Sequence, residues 1–417
     1  MRDRQPSATP VGRFDAPPVR LGDTARLGDT ARLGDTVWRD VAPADWNDWR
    51  WQLRHRLRSA DELAQHFNVS DGLRAFIAAG RGFEIAVTPF FAAQCRRFDP
   101  TCPLTRQILP DPAEGTVQAF ERADPLGEDP HRKAHGIIHK YPDRVLFLVT
   151  DACAAYCRYC TRARWVAAGT NALGGDALDQ ALGYISQHTE IKDVLISGGD
   201  PLLLAPAKLA EILNRLSAIA HLRFIRLGTR VPVFLPMRVD AELLAALRPR
   251  RIPLFINVHI NHFAELPEPV CAALGRLGDA GISLGGQTVL LRGVNDASEV
   301  LAETFYALLA ARVRPYYLFH CDPIRGSAHL RTSVDAGLAL MAELIGHTSG
   351  MAIPKYVIDL EGGGKVPLWP EYVEQHTPEL LTVRNFRGEQ WAYVNAVPGA
   401  PPAIPGRQPA GQNRRRP

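Results

Sequence analysis

The chain has 417 residues, 46% of them hydrophobic, and a formal net charge of +4; that is enough material for one large core with an accessory region. So small a charge, three units of it in Arg414, Arg415 and Arg416, excludes a nucleic-acid-binding stripe. No apolar run approaches the roughly 18 residues of a membrane-spanning helix, and residues 1–13 lack the apolar segment of a signal peptide, so a cytoplasmic protein with no membrane or nucleic-acid partner is expected.

Residues 1–37 contain three tandem copies of one hexapeptide, at 20–25, 26–31 and 32–37. A six-residue unit with one large apolar side chain is too short to build a solenoid, so the segment is expected to be a disordered leader. Residues 38–135 are expected to form an N-terminal helical region, on the apolar spacing of Trp46, Trp49, Leu53 and the run 73–79. From 136 to 330, β-rich runs at 145–150, 193–197, 224–228, 254–259, 283–290 and 315–320 alternate with helical patterns such as 176–187, 206–220 and 241–247. Such alternation predicts an α/β fold with parallel strands, here a partial (β/α)6 TIM-like barrel. Chemistry in such barrels sits at the C-terminal ends of the strands. Cys153, Gly198, Gly199, Asp200, Arg230, His259, Gln287 and Asp322 all fall at or just beyond those ends. A C-terminal extension follows over 331–395, and the Pro/Gly/Arg-rich 396–417 reads as a disordered tail.

Of seven cysteines, three stand together as Cys153, Cys157 and Cys160. An odd, clustered set without a secretory signal argues for a reducing compartment and against a disulfide framework. Four readings compete: ordinary buried thiols, structural zinc, a redox dithiol and an iron–sulfur cluster. Zinc lacks a nearby fourth ligand, and a Cys157–Cys160 dithiol leaves Cys153 unexplained. A [4Fe-4S] cluster held by three thiolates keeps one iron open for chemistry. The C-x3-C-x2-C spacing after a strand resembles the signature of radical S-adenosylmethionine enzymes. That resemblance implies that S-adenosylmethionine binds the open iron and yields a 5′-deoxyadenosyl radical. The turn Ser197-Gly-Gly-Asp-Pro201 resembles the family element that holds the amino group of this cofactor, which assigns Gly198, Gly199 and Asp200 to it.

Asp359-Leu-Glu-Gly362-Gly-Gly364-Lys365 is not a P-loop, because the spacing is wrong and Val366 follows the lysine. A glycine-flanked lysine suits condensation with an aldehyde cofactor instead. Over roughly 38–395 the chain resembles the lysine 2,3-aminomutase family. The likeness runs through 45–51, 140–145, the three-cysteine motif, 197–201, 290–296, 314–317, 346–350 and the glycine–lysine element. It implies pyridoxal 5′-phosphate on Lys365, the catalytic lysine, with Tyr141, Arg144 and Gln287 among the cofactor-binding residues and Arg144 near the phosphate. It implies further that Arg162 grips the substrate carboxylate and that Asp322 and Asp359 receive the distal ammonium of an amino-acid substrate.

The implied reaction moves the α-amino group of a basic L-amino acid to the β-carbon, L-lysine to L-β-lysine first and L-arginine to L-β-arginine as the alternative. A glutamate-specific relative is disfavoured, since it should replace the pocket acids. From another class, an iron–sulfur redox carrier or sensor would have no use for Lys365. An electron donor such as flavodoxin or ferredoxin is the implied partner, and a homo-oligomer is possible within the family pattern. The chain departs from that pattern in three places. The glycine loop is one residue short, with Glu361 offering the pocket a further acid. Phe319 stands where tyrosine is common. No cysteine follows Cys321 and Ala297 replaces a partner cysteine, so no structural zinc is expected.

Overall fold

The structure is a computed structural model that describes residues 36–394 except 81, 167–172, 249 and 378–379. The expected tail, and the leader up to residue 35, lie outside the described residues.

One sheet organises the molecule. Its ten strands pair in chain order: β1 (Arg132–Ala134), β2 (Ile137–Tyr141), β3 (Arg144–Thr150), β4 (Asp193–Gly198), β5 (Phe224–Thr229), β6 (Leu254–His259), β7 (Ser283–Leu290), β8 (Arg314–His320), β9 (Lys355–Leu360) and β10 (Gly364–Pro367). All pairings from β3 through β9 are parallel. The six strands expected from sequence form with ends shifted by at most one residue. A seventh parallel strand, β9, joins them, and antiparallel strands flank both edges.

Parallel strands are covered on both faces, which is why they read as nearly continuous apolar runs. Val145, Phe147, Leu148 and Val149 of β3 are all buried. Helices between the strands bury one stripe at helical spacing: Leu178, Ala181, Leu182 and Ile185 in Gly175–Gln187, and Leu209, Ile212, Leu213 and Leu216 in Pro206–Ala218. Each such leucine contributes about 1.5–3 kcal/mol of burial.

The sheet ends at β1 and β10 and does not close by backbone pairing. Side chains bridge the seam instead. Lys140 Nζ on β2 donates to the Leu360 carbonyl at 3.0 Å, and Lys365 N on β10 donates to the Tyr141 hydroxyl at 2.9 Å.

Among the described residues six short α-helices lie between Pro43 and Ile108. Four of them are capped by side chains, Asp48, Ser59 with Glu62, Ser70 and Thr88. A separate antiparallel sheet, β11 (Val373–His376), β12 (Leu380–Arg384) and β13 (Gln390–Val394), follows the barrel. No helix among the described residues is long and apolar enough to cross a membrane.

Candidate active site

The open barrel encloses a cavity of about 590 Å³, within the range of small-molecule sites. It runs from the strand starts at Arg144, Asp193 and Phe224 to the strand ends at Gly198, Arg230 and His259. Every residue assigned to the site from sequence lines it: Tyr141, Arg144, Cys153, Cys157, Cys160, Arg162, Gly198, Gly199, Asp200, Gln287, Asp322, Asp359 and Lys365.

The cysteine loop leaves β3 and is clamped by the N-terminal helices. Arg56 donates to the Cys153 carbonyl at 2.7 Å. Tyr156 N donates to Ala86 O and Arg158 N to Gln107 O, each at 2.9 Å. The buried Arg158 guanidinium pairs with Glu114 and donates to the carbonyls of Phe83 and Glu84 at 2.9 Å. The turn after β4 closes on the loop from the other side. Gly199 N donates to Thr150 O at 2.5 Å and Asp200 N to Ala152 O at 2.7 Å. A Cβ on Gly198 would stand 2.2 Å from Thr150 O, and one on Gly199 2.2 Å from Ala152 O. Only glycine permits that approach.

Burial pushes the Cys160 thiol up to about 11, with the Cys157 thiol adding to the effect, and burial likewise raises the Cys153 thiol well above its ordinary value. Buried thiols such as Cys153 and Cys160 resist ionisation unless a bound cation stabilises the thiolates. Among the described residues no three ligands converge on a single metal ion. A cluster puts each thiolate on a different iron and asks for no such convergence. The donor set therefore fits a cluster.

Asp200 departs from expectation. Both its oxygens accept from Thr229 Oγ1, at 2.7 and 2.9 Å, and the carboxylate also accepts from the amides of Leu202, Arg230 and Val231. It ties the β4 turn to the β5 turn, and receiving a cofactor ammonium would mean displacing one of these donors. In the bare site the carbonyls of Thr150 and Ala152 are likewise taken by this turn.

On the far side of the cavity the β9–β10 hairpin sets Lys365 opposite Asp359 in register. Lys365 Nζ donates to Asp359 Oδ2 at 2.6 Å, and Lys140 Nζ lies 3.5 Å from Oδ1. Asp359 is thus already held between two lysines, and an incoming ammonium would have to share its carboxylate with them or displace one. The Lys365 side chain is 31% exposed and its ammonium sits 5.5 Å over the Phe319 ring. A lysine reachable from a cavity lined by Tyr141 and Arg144 fits an aldehyde cofactor bearing a phosphate. Glu361 is exposed and does not line the cavity, so the extra acid is not a pocket acid.

Asp322, just past β8, has its carboxyl pushed up to about 7, first by burial and then by the charge of Asp359. Arg162 is also already paired: its Nε and one terminal nitrogen donate to the two oxygens of Glu128 at 3.2 and 2.6 Å. Burial disfavours the Arg162 charge and Glu128 more than restores it. Arg144 stacks over Tyr141 at 3.9 Å and pairs with Asp143 at 3.1 Å. Near it at the strand starts, Arg226 grips Asp193 through two nitrogens. Gln287 on β7 lies beside His259 on β6.

Sequence reasoning missed Glu128, Lys140 and Arg226 as site residues. Lys140 had a signal, its place beside Tyr141 in a resembling segment; Glu128 and Arg226 read only as ordinary charges.

Residues 147–305 match the family model described as the radical SAM superfamily, and residues 341–399 the one described as lysine-2,3-aminomutase. The chain is 39% identical to L-lysine 2,3-aminomutase of Clostridium subterminale, over 87% of this chain and 88% of that protein. It is 40% identical to the enzyme of the same name from Fusobacterium nucleatum, over 85% and 84%. It is also 36% identical to glutamate 2,3-aminomutase of Clostridioides difficile, over 83% and 82%.

Proposed function

The chain belongs to the lysine 2,3-aminomutase family of radical S-adenosylmethionine enzymes and is an isomerase; from that premise we propose that it converts L-lysine to L-β-lysine with the help of pyridoxal 5′-phosphate. The observation that carries the choice of lysine is the pair of acids, Asp322 and Asp359, facing one cavity that also holds Lys365. Burial and the Asp359 charge raise the Asp322 carboxyl to about 7 despite the nearby charges of Lys365, Arg331 and Lys140, so the site favours a further cation. An incoming ammonium supplies it, and Asp322 then gives up its proton and holds the substrate as a carboxylate.

Cys153, Cys157 and Cys160 would hold three irons of the cluster, the Gly198–Gly199 turn would border S-adenosylmethionine, and Lys365 would carry the aldehyde cofactor with Arg144 toward its phosphate. Bound there, these groups would supply a carbon-centred radical, from one electron, and a π system on the migrating nitrogen. The chain's own residues bind and aim the substrate. Arg162 leaves Glu128 to take the α-carboxylate through its planar fork. The barrel wall excludes solvent around the reacting carbons. An acidic substrate meets two acids in this cavity, which separates the chain from a glutamate-specific relative. The electron would come from a carrier such as flavodoxin or ferredoxin.

The test is an anaerobic assay of the reconstituted protein with pyridoxal phosphate, S-adenosylmethionine and a strong reductant. L-lysine, L-arginine and L-glutamate are offered separately, with products resolved by mass spectrometry. L-β-lysine from L-lysine is expected. A β-amino product from another substrate alone, or from none with both cofactors bound, overturns the assignment.

A further inference from the structure

Behind the cysteine loop lies a buried polar network that the proposed reaction leaves without a role. Arg230 follows directly after β5 and is 6% exposed. One terminal nitrogen donates to Cys157 Sγ at 2.8 Å and to the Tyr159 hydroxyl at 2.7 Å. The other donates to Gln107 Oε1 at 2.6 Å and to Glu265 Oε2 at 3.0 Å. Glu265 is held in turn, accepting from Gln107 Nε2 at 2.8 Å and from Asn261 N at 3.1 Å. The guanidinium is therefore fixed on two sides, and its one contact with an expected metal ligand is the Cys157 sulfur.

A buried Arg–Glu pair is an expensive way to fill space, since well-packed apolar side chains serve stability as well or better. Its presence beside a candidate cluster ligand points to a use that apolar packing could not supply. We propose that Arg230 is a positioning residue for the iron–sulfur cluster: aimed by Glu265 and Gln107, it donates to the Cys157 thiolate and so raises the cluster's reduction potential. The proposal rests on the reading of Cys153, Cys157 and Cys160 as cluster ligands. Reduction adds one electron, taken from an external reductant, and no bond forms or breaks. The added negative charge spreads onto the thiolates, and a hydrogen-bond donor with positive charge at one of them stabilises the reduced form. Glu265 acts against this through its own charge while holding the donor in place.

Two kinds of substitution therefore shift the potential in opposite senses. The full-length protein and its Arg230→Met, Arg230→Lys and Glu265→Gln variants are reconstituted anaerobically and assayed for iron and sulfide. Each is then titrated against dithionite while the reduced cluster is followed by electron paramagnetic resonance. Arg230→Met is expected to shift the couple negative by about tenfold in the reduced-to-oxidised ratio at fixed potential, which is about 59 mV for one electron. Arg230→Lys shifts it the same way but less, because charge is kept and the fork is lost. Glu265→Gln shifts it positive. Should Arg230→Met fail to load a cluster, the opposed signs of the other two variants decide. A merely structural role lowers cluster content without moving the potential of what loads. Equal potentials in the loaded variants, or shifts of one sign, overturn the proposal. Wild-type protein that binds no iron through the three cysteines overturns the cluster reading instead.

Discussion

The carboxyl of Asp322, held up to about 7, is the residue-scale feature on which the proposed binding of a cationic substrate turns. Burial and the Asp359 charge favour the neutral form of Asp322 in the ligand-free protein, so its folded value lies above the roughly 4 of an unfolded aspartate. The linked stability is therefore complete below about pH 4 and is lost as pH rises through about 7. Asp322→Asn removes the penalty at pH 8 and should stabilise the ligand-free protein there by up to about 4 kcal/mol, a gain that vanishes near pH 4. The same variant should raise KM for L-lysine at least about 100-fold, since one acid is lost from a desolvated cation site. In the wild type, KM should climb as pH falls below about 7. Denaturation at pH 8 and pH 4, with steady-state kinetics across pH 6–9, checks all three. Cys153, Cys157, Cys160 and Lys365 were legible in the sequence as candidates, and they line one cavity, because a thiol triplet or a lysine among glycines is a local pattern. Glu128 was not, since its value lies in meeting Arg162 across 34 positions of chain.

At the scale of elements, the strand ends make the site. β3 delivers the cysteine loop, β4 lays its glycine turn across that loop, and β9–β10 brings Lys365 to the opposite wall. The strands were readable from their β-branched and apolar runs, and the helices from their periodicity. The seventh parallel strand was not, because Lys355-Tyr-Val-Ile-Asp-Leu360 is short and partly exposed, and only pairing with β8 makes it a barrel strand. The glycine turn yields an element-scale prediction. Gly199→Ala puts a methyl 2.2 Å from the Ala152 carbonyl, a backbone atom that cannot swing aside. The cysteine loop should be pushed out of position and reconstituted iron should fall below half the wild-type content, while far-ultraviolet circular dichroism stays close to wild type. Full iron loading by the variant would show that the turn does not brace the loop.

For the whole molecule, the N-terminal region acts as a clamp on the barrel's cysteine loop. Arg158, between two of the three cysteines, is fully buried against Glu114 and the carbonyls of Phe83 and Glu84. Replacing it by methionine strands the Glu114 carboxylate in the interior, which costs roughly 3–5 kcal/mol. Arg158→Met should lower the denaturant midpoint accordingly, and Glu114→Gln, which keeps acceptors for the guanidinium, should lower it less. Chemical denaturation of both variants distinguishes this clamp from a surface pair, whose loss would cost about 0–1 kcal/mol.

By itself the sequence determined the strand–helix alternation, the thiol triplet, the glycine turn and the glycine-flanked lysine, because each depends on neighbours a few residues apart. The tertiary structure alone decided which charges are already spent. Asp200 faces the β5 turn, Asp359 lies between Lys140 and Lys365, Arg162 rests on Glu128, and Arg230 reaches Cys157. Apart from Asp359 and Lys365, which share one hairpin, these pairings join strands and loops far apart in the chain. Coulomb and hydrogen-bond energies depend on distance in space and on local burial, quantities that come into being only when the sheet has folded and the barrel seam has been drawn together.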